Sequence, residues 1–160
     1  SFVIHTVNPF TGNRDEIYAE VVPGLGETLV GNYPGKALSF TCDKGGNAPQ
    51  LLAFPSKSIA LSGKGLIFRS DSSGEDLAGY AGAGLYDSIM LEPPQKIPLD
   101  YSRDVLVQDV QFRKAFLATV AKIATTVEQV FGSAQDIEGA YAKGEYYVVQ
   151  TRPQVGIEGE

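Results

Sequence analysis

A chain of 160 residues, 43% hydrophobic and 20% charged, is long enough for one globular unit with a real core and needs neither a membrane nor a disordered class. Its formal net charge of −6 excludes a nucleic-acid binder that works through a basic surface, because phosphate contacts there need clustered Lys and Arg. A nucleotide held by a few local cations and a metal stays open, whereas no membrane partner is expected, since no run approaches the roughly 18 apolar residues of a spanning helix. The lone Cys42 cannot close an internal disulfide and reads as a small buried hydrophobe.

In chain order, "FVIHTV" is a β-rich run stopped by the turn signal "NPFTGN", and "EIYAEVV" follows as its hairpin partner. The opening has neither the charged start nor the length of a signal peptide and reads as a strand in progress, as in a piece of a larger protein. "PGLGETLVGNYPGKA" is glycine-rich, with a short helix or strand between its turns. "ALSFTC" and "LLAFPS" predict two further strands, and "GLIFRSDSSGEDLAGYAGAGLYDS" a strand, a polar loop and a small-residue segment; "EPPQKIP" reads as a linker-like turn. The clearest helix spans about 109–131. Phe116, Val120, Ile123, Val127 and Val130 recur at three- and four-residue spacing, Asp109 can cap the start and Gly132 stop the end. Strand pairs with one long packing helix give an α+β unit with mainly antiparallel pairing, expected to be single over 1–154 with a tail over 155–160.

The helix leads into "SAQDIEGAYAKGEYYVVQTRPQ", a hairpin with Asp136, Glu138, Gln150 and Arg152 at alternating positions. A solvated face is the bland explanation. If the connection is the three-residue loop Lys143-Gly144-Glu145, Glu138 lies opposite Gln150 and Asp136 opposite Arg152, all on one face. Directly opposed Cβ atoms are about 4.5–5.5 Å apart, which suits a carboxylate and an amide oxygen on one Mg²⁺. A two-residue turn would put Glu138 and Gln150 on opposite faces.

Elsewhere, "PGLGETLVG" reads either as a tight turn or as a phosphate loop, although it lacks the Lys-Ser/Thr ending of a Walker loop and the G-x-G-x-x-G order of a dinucleotide fold. Arg69 in "FRSDSSGED" leaves a strand beside hydroxyls and glycine, where a planar guanidinium suits phosphate oxygens; Asp71, Glu75 and Asp76 either hold it or solvate the loop. His5, the only histidine, sits in an apolar strand and reads as a packed or edge-strand residue.

"GSAQDIEGA" followed by "YYVVQTRPQ" resembles the ATP-binding domain shared by pyruvate phosphate dikinase, phosphoenolpyruvate synthase and the glucan, water dikinases. "FVIHTVNPFTG", "EIYAEVVPGLGETLVGNYPGKALSF" and "IFRSDSSGEDLAGYAGAGLYDS" narrow the resemblance to the α-glucan, water dikinases, over nearly all of the chain. It implies the C-terminal lobe of an ATP-grasp fold. By resemblance Glu138 and Gln150 are Mg²⁺ ligands, Arg152 contacts the transferred phosphoryl groups and Asp136 supports them. Gly24, Gly26 and Glu27 would lie near the nucleotide cleft. Arg69 would be a further ATP ligand, although in phosphoenolpyruvate synthases the corresponding "R-S-S" segment precedes G-L-G-E. The implied cofactors are ATP and Mg²⁺. The implied partners are the remaining N-lobe, a separate phosphohistidine domain and α-glucan (starch), with no nucleic acid; the implied location is the plastid, or the cytosol in algae or protists that store starch there. A dikinase with another acceptor, or a glucan- or protein-binding module, is the alternative.

Overall fold

The computed structural model describes residues 1–31, 33–69, 76–77, 80–81 and 88–157. Its centre is a six-stranded sheet of order β12-β11-β1-β2-β3-β4, formed by β1 (Phe2–His5), β2 (Glu16–Val21), β3 (Leu38–Asp43), β4 (Gln50–Ala53), β11 (Gln135–Ala142) and β12 (Glu145–Pro153). Every neighbouring pair in it is antiparallel, as the alternating, hairpin-linked sequence predicts. Three short two-stranded ribbons are separate from it: β5 (Ile59–Ser62) pairs with β10 (Gln95–Pro98), β6 (Ile67–Arg69) with β9 (Ser88–Met90), and β7 (Asp76–Leu77) with β8 (Tyr80–Ala81). The helices are α1 (Glu27–Val30), α2 (Val105–Gln108) and α3 (Val110–Phe131), with a 3₁₀ turn at Tyr101–Arg103 before α2.

One face of the sheet is apolar because strand alternation collects Phe2 and Ile4, Ile17, Ala19 and Val21, Leu38, Phe40 and Cys42, and Ile137 on it. Helix α3 covers that face with Phe116, Leu117, Val120, Ala121 and Ala124. The helix starts where Asp109 Oδ1 accepts from the amides of Gln111 and Phe112, both at 2.9 Å, and ends at Gly132, left-handed at φ 70°. The expected stripe along it needs correction at its end: Val130 is 75% exposed. Ala121 and Ala124, too small to mark an apolar stripe in a reading of large side chains, are fully buried in the core instead.

The sequence reads "EPPQKIP" as a turn, yet Gln95–Pro98 is a strand on β5. All four residues are exposed and Pro98 ends the run, so it shows no alternation from which a strand could be read. Helix α2 has only four residues, too few for periodicity, and is set by Asp104, whose carboxylate accepts from the Leu106 amide at 2.8 Å.

The hairpin connection also departs from expectation. Ala142 pairs with Glu145, so the loop is the two residues Lys143 (φ 53°) and Gly144 (φ 83°), the type I′ geometry, and not Lys143-Gly144-Glu145. The register then shifts between Glu138 and Gly139: Gly139 pairs with Val148 and Glu138 with Gln150, leaving Val149 as a bulge. Thus the loop is one residue shorter than expected, and the bulge restores the Glu138–Gln150 and Asp136–Arg152 pairs. Gly139 is required here, because a Cβ would overlap the Phe2 ring and lie 2.7 Å from the Tyr147 carbonyl.

Gly139→Ala therefore overpacks a buried ring and is expected to cost about 1–3 kcal/mol of stability, read as a lowered denaturant midpoint. Asp109→Ala is expected to cost about 1 kcal/mol by removing the α3 cap. A midpoint unchanged in either variant contradicts the role given to that residue.

Candidate functional site

The face of the sheet opposite α3 is organised by register into two rows. Arg152, Asp136, His5, Tyr18, Thr41 and Gln50 form one; Gln150, Glu138, Val3, Glu20, Ser39 and Ala53 form the other. Each residue is directly opposite the next, so all point to the same side of the sheet. The four polar hairpin residues singled out in the sequence are thereby together, in adjacent rows at the β11–β12 end. Glu138 is exposed, while Asp136, Gln150 and Arg152 are half-buried.

Asp136 is held from both sides. His5 Nδ1 is 2.7 Å from Asp136 Oδ1, and Arg152 Nε is 3.7 Å from Oδ2. Of the two sequence readings His5 is thus packed and not on an edge strand: β1 is paired on both sides and His5 faces the polar side. Its phase was readable, because Phe2 and Ile4 take the other face, but its partner is 131 residues away and becomes visible only once β11 is placed on β1. The His5 ring stacks on Tyr18 with centroids 6.1 Å apart, Phe10 meets Tyr18 edge-on at 5.0 Å, and the Tyr18 hydroxyl donates to Glu20 at 2.7 Å.

Half-buried hydrogen bonds fix the backbone on both sides of Arg152. Thr151 Oγ1 donates to Gln135 Oε1 at 2.9 Å, and the fully buried Gln135 amide nitrogen donates to Ser133 Oγ at 2.9 Å. The Gln154 side chain pairs with the Val7 backbone as another strand would: Oε1 accepts from Val7 N at 3.0 Å and Nε2 donates to Val7 O at 2.8 Å. Among the described residues no buried side-chain nitrogen or oxygen lacks a partner.

The G-L-G-E turn lies at the other end of β1, where Ser1 Oγ donates to the Gly24 carbonyl at 2.7 Å. It is docked on β5: Leu25 N donates to Leu61 O at 2.8 Å, and Leu61 N donates to the buried Thr28 Oγ1 at 2.9 Å. Gly24, at φ 79°, is required by that docking, since a Cβ would collide with the Leu61 carbonyl. Gly26 precedes α1, and Glu27 is its first residue. Arg69 ends β6, but its side chain and the loop with Asp71 and Glu75 lie outside the described residues, as does the Asp76 side chain.

For a metal, the fit is that of an ion needing few protein ligands. Among the described residues no three His, Cys, Asp or Glu side chains cluster as a closed cage would need. A carboxylate and an amide oxygen opposed at Glu138 and Gln150 fit Mg²⁺, which keeps waters and phosphate oxygens in its shell.

No protein-family model matches the chain. Over 157 residues and 97% of its length it is 57% identical to the chloroplastic alpha-glucan water dikinases of Citrus reticulata and Solanum tuberosum. It is 55% identical to alpha-glucan water dikinase 1, chloroplastic, of Arabidopsis thaliana over the same share. A probable phosphoenolpyruvate synthase of Methanocaldococcus jannaschii is 26% identical over 94% of the chain. Nearly all of the chain is therefore similar to a segment of kinase-type enzymes, strongly to alpha-glucan water dikinases and distantly to phosphoenolpyruvate synthases. It spans about 11% of the length of the dikinases it matches.

Burial, and then the hydrogen bond and charge of Glu20, push the Tyr18 phenol from its ordinary 10.0 up to about 12. The fold thus favours the neutral phenol, so stability is fully present below 10.0 and falls as pH rises from there to about 12. The tyrosinate absorbance difference between the native chain and Tyr18→Phe should titrate at about 12. Titration at the ordinary tyrosine value instead contradicts the packing described for Tyr18.

Proposed function

We propose that this chain is the phosphate- and Mg²⁺-handling lobe of the ATP cleft in an α-glucan, water dikinase, the C-terminal lobe of an ATP-grasp fold. The observation that carries the reading is the pairing of Glu138 with Gln150 and of Asp136 with Arg152 in adjacent rows, on the face that α3 leaves uncovered. Glu138 and Gln150 would hold Mg²⁺, which supplies positive charge to phosphate oxygens when bound. Arg152 would bind the transferred phosphoryl group, and Asp136 orients Arg152. Such a set suits phosphoryl transfer, where catalysis is mostly positioning and neutralisation of charge.

In this reading residues 1–154 form one lobe with a tail over 155–160. Gly24, Gly26 and Glu27 border the cleft at the far end of β1, and Arg69 is a second phosphate contact. The N-lobe and the phosphohistidine domain belong to the remainder of the parent protein. There the β-phosphate of ATP passes to the histidine and then to α-glucan, with AMP and inorganic phosphate released. Identity of 57% to dikinases against 26% to a phosphoenolpyruvate synthase favours α-glucan over another acceptor. The chloroplastic names of three relatives favour a plastid location.

In the full-length enzyme, Glu138→Ala and Arg152→Ala should each lower ATP-dependent phosphorylation of the protein and of glucan by about 10²–10³-fold, with retention on glucan unchanged. Wild-type rates in both variants would refute the site. By calorimetry this chain alone should bind Mg·ATP more weakly than the intact two-lobed domain does; equal affinity argues against a shared cleft.

A further inference from the structure

We propose that His5 is a positioning residue for the phosphate-binding arginine: it holds Asp136 so that its carboxylate does not close a two-pronged pair with Arg152. The inference rests on the reading of Arg152 as the phosphoryl contact. A carboxylate beside an arginine ordinarily forms a two-pronged pair with it, which engages the same planar donors that bind phosphate. Asp136 does not do so. Oδ1 is bound to His5 Nδ1 at 2.7 Å, and Oδ2 stands 3.7 Å from Arg152 Nε, beyond hydrogen-bond length.

The direction of the His5 bond follows from chemistry. An ionised carboxylate only accepts, so Nδ1 carries the proton and donates it to Oδ1. The ring is braced on its other side by the Tyr18 stack, and Tyr18 is held by Glu20 and Phe10. The pair is also sheltered, with side-chain exposures of 30% for His5 and 15% for Asp136, so it is better shielded from solvent screening than a surface ion pair. Released from His5, Asp136 can turn both oxygens toward the guanidinium and compete with phosphate for it.

The test uses the full-length dikinase with Mg·ATP and glucan. His5→Phe keeps a ring on Tyr18 but removes the donor, and His5→Asn restores an N–H at about the Nδ1 position. His5→Phe should lower kcat/KM for ATP about tenfold, and His5→Asn should recover most of the loss. Because His5 acts through Asp136, the double variant with Asp136→Ala should be no worse than Asp136→Ala alone. Wild-type activity in His5→Phe, no rescue by Asn, or additive losses in the double variant would each overturn the proposal. Should His5→Phe fail to fold, His5→Asn against His5→Gln decides: both are amides, only Asn places its N–H correctly, and equal activities overturn the role. Arg152→Ala, measured alongside, separates the two levels. If it is fully active the phosphoryl-contact reading fails, whereas its loss with an unaffected His5→Phe removes only the positioning role.

Discussion

One extra residue in β12 decides whether Gln150 and Arg152 join Asp136 and Glu138 on one side of the sheet. The Lys143-Gly144 turn sets Ala142 against Glu145, and that register carried on unchanged would place Gln150 opposite Ile137 and Arg152 opposite Gln135. Both side chains would then lie on the α3 side of the sheet, away from Asp136 and Glu138. The Val149 bulge shifts the strand so that Thr151 and Pro153 take those places and Gln150 and Arg152 turn outward. The bulge in turn needs Gly139, since the Phe2 ring occupies the space of any Cβ there. The polar geometry above the sheet therefore depends on one local irregularity, which is seated against the Phe2 ring beneath it.

The same end of the sheet is held by directed polar contacts. Thr6 N donates to Gln135 O at 3.0 Å and Gln135 N to Thr6 Oγ1 at 2.8 Å, so the strand pairing of β1 with β11 continues one step past His5. Thr6 Oγ1 also donates to Glu128 at 3.2 Å, and Glu128 is bound by Lys44 at 2.7 Å, tying the last turn of α3 to the sheet. With Thr151 anchored before Arg152 and Gln154 after it, the arginine's backbone is held on both sides. Such a satisfied buried network has a unique arrangement, which a site needing sub-ångström placement can exploit.

How far the sequence reaches depends on the distance over which each signal acts. The α3 boundaries were legible because Asp109 and Gly132 act within a few residues of themselves, and the β1–β2 hairpin because its turn is local. The pairing of Glu138 with Gln150 was also legible, but through the wrong connection: a two-residue turn plus a bulge is indistinguishable by residue count from a three-residue loop. The Asp136–His5 contact was not legible, because it depends on a strand pairing closed through the whole intervening chain. Strand β10 and helix α2 were missed for a different reason. All four residues of β10 are exposed and α2 has only four residues in all, whereas a periodic signal needs both burial and length.

Charge explains why a cation belongs to this face in the proposed reading. Within two adjacent rows it carries Glu20, Asp136 and Glu138, while Arg152 and His5 share their contacts with Asp136. A triphosphate approaching these carboxylates would be repelled at short range, where salt screening is least effective. Placing Mg²⁺ on Glu138 and Gln150 reverses the sign of the interaction at one row, while Arg152 meets the phosphate at the next. The carboxylates that make the bare face unsuited to an anion are therefore what makes it suited to a metal-bound one. On that argument nucleotide affinity is set by the metal and its row, and the precision of phosphoryl placement by the row of Asp136 and Arg152.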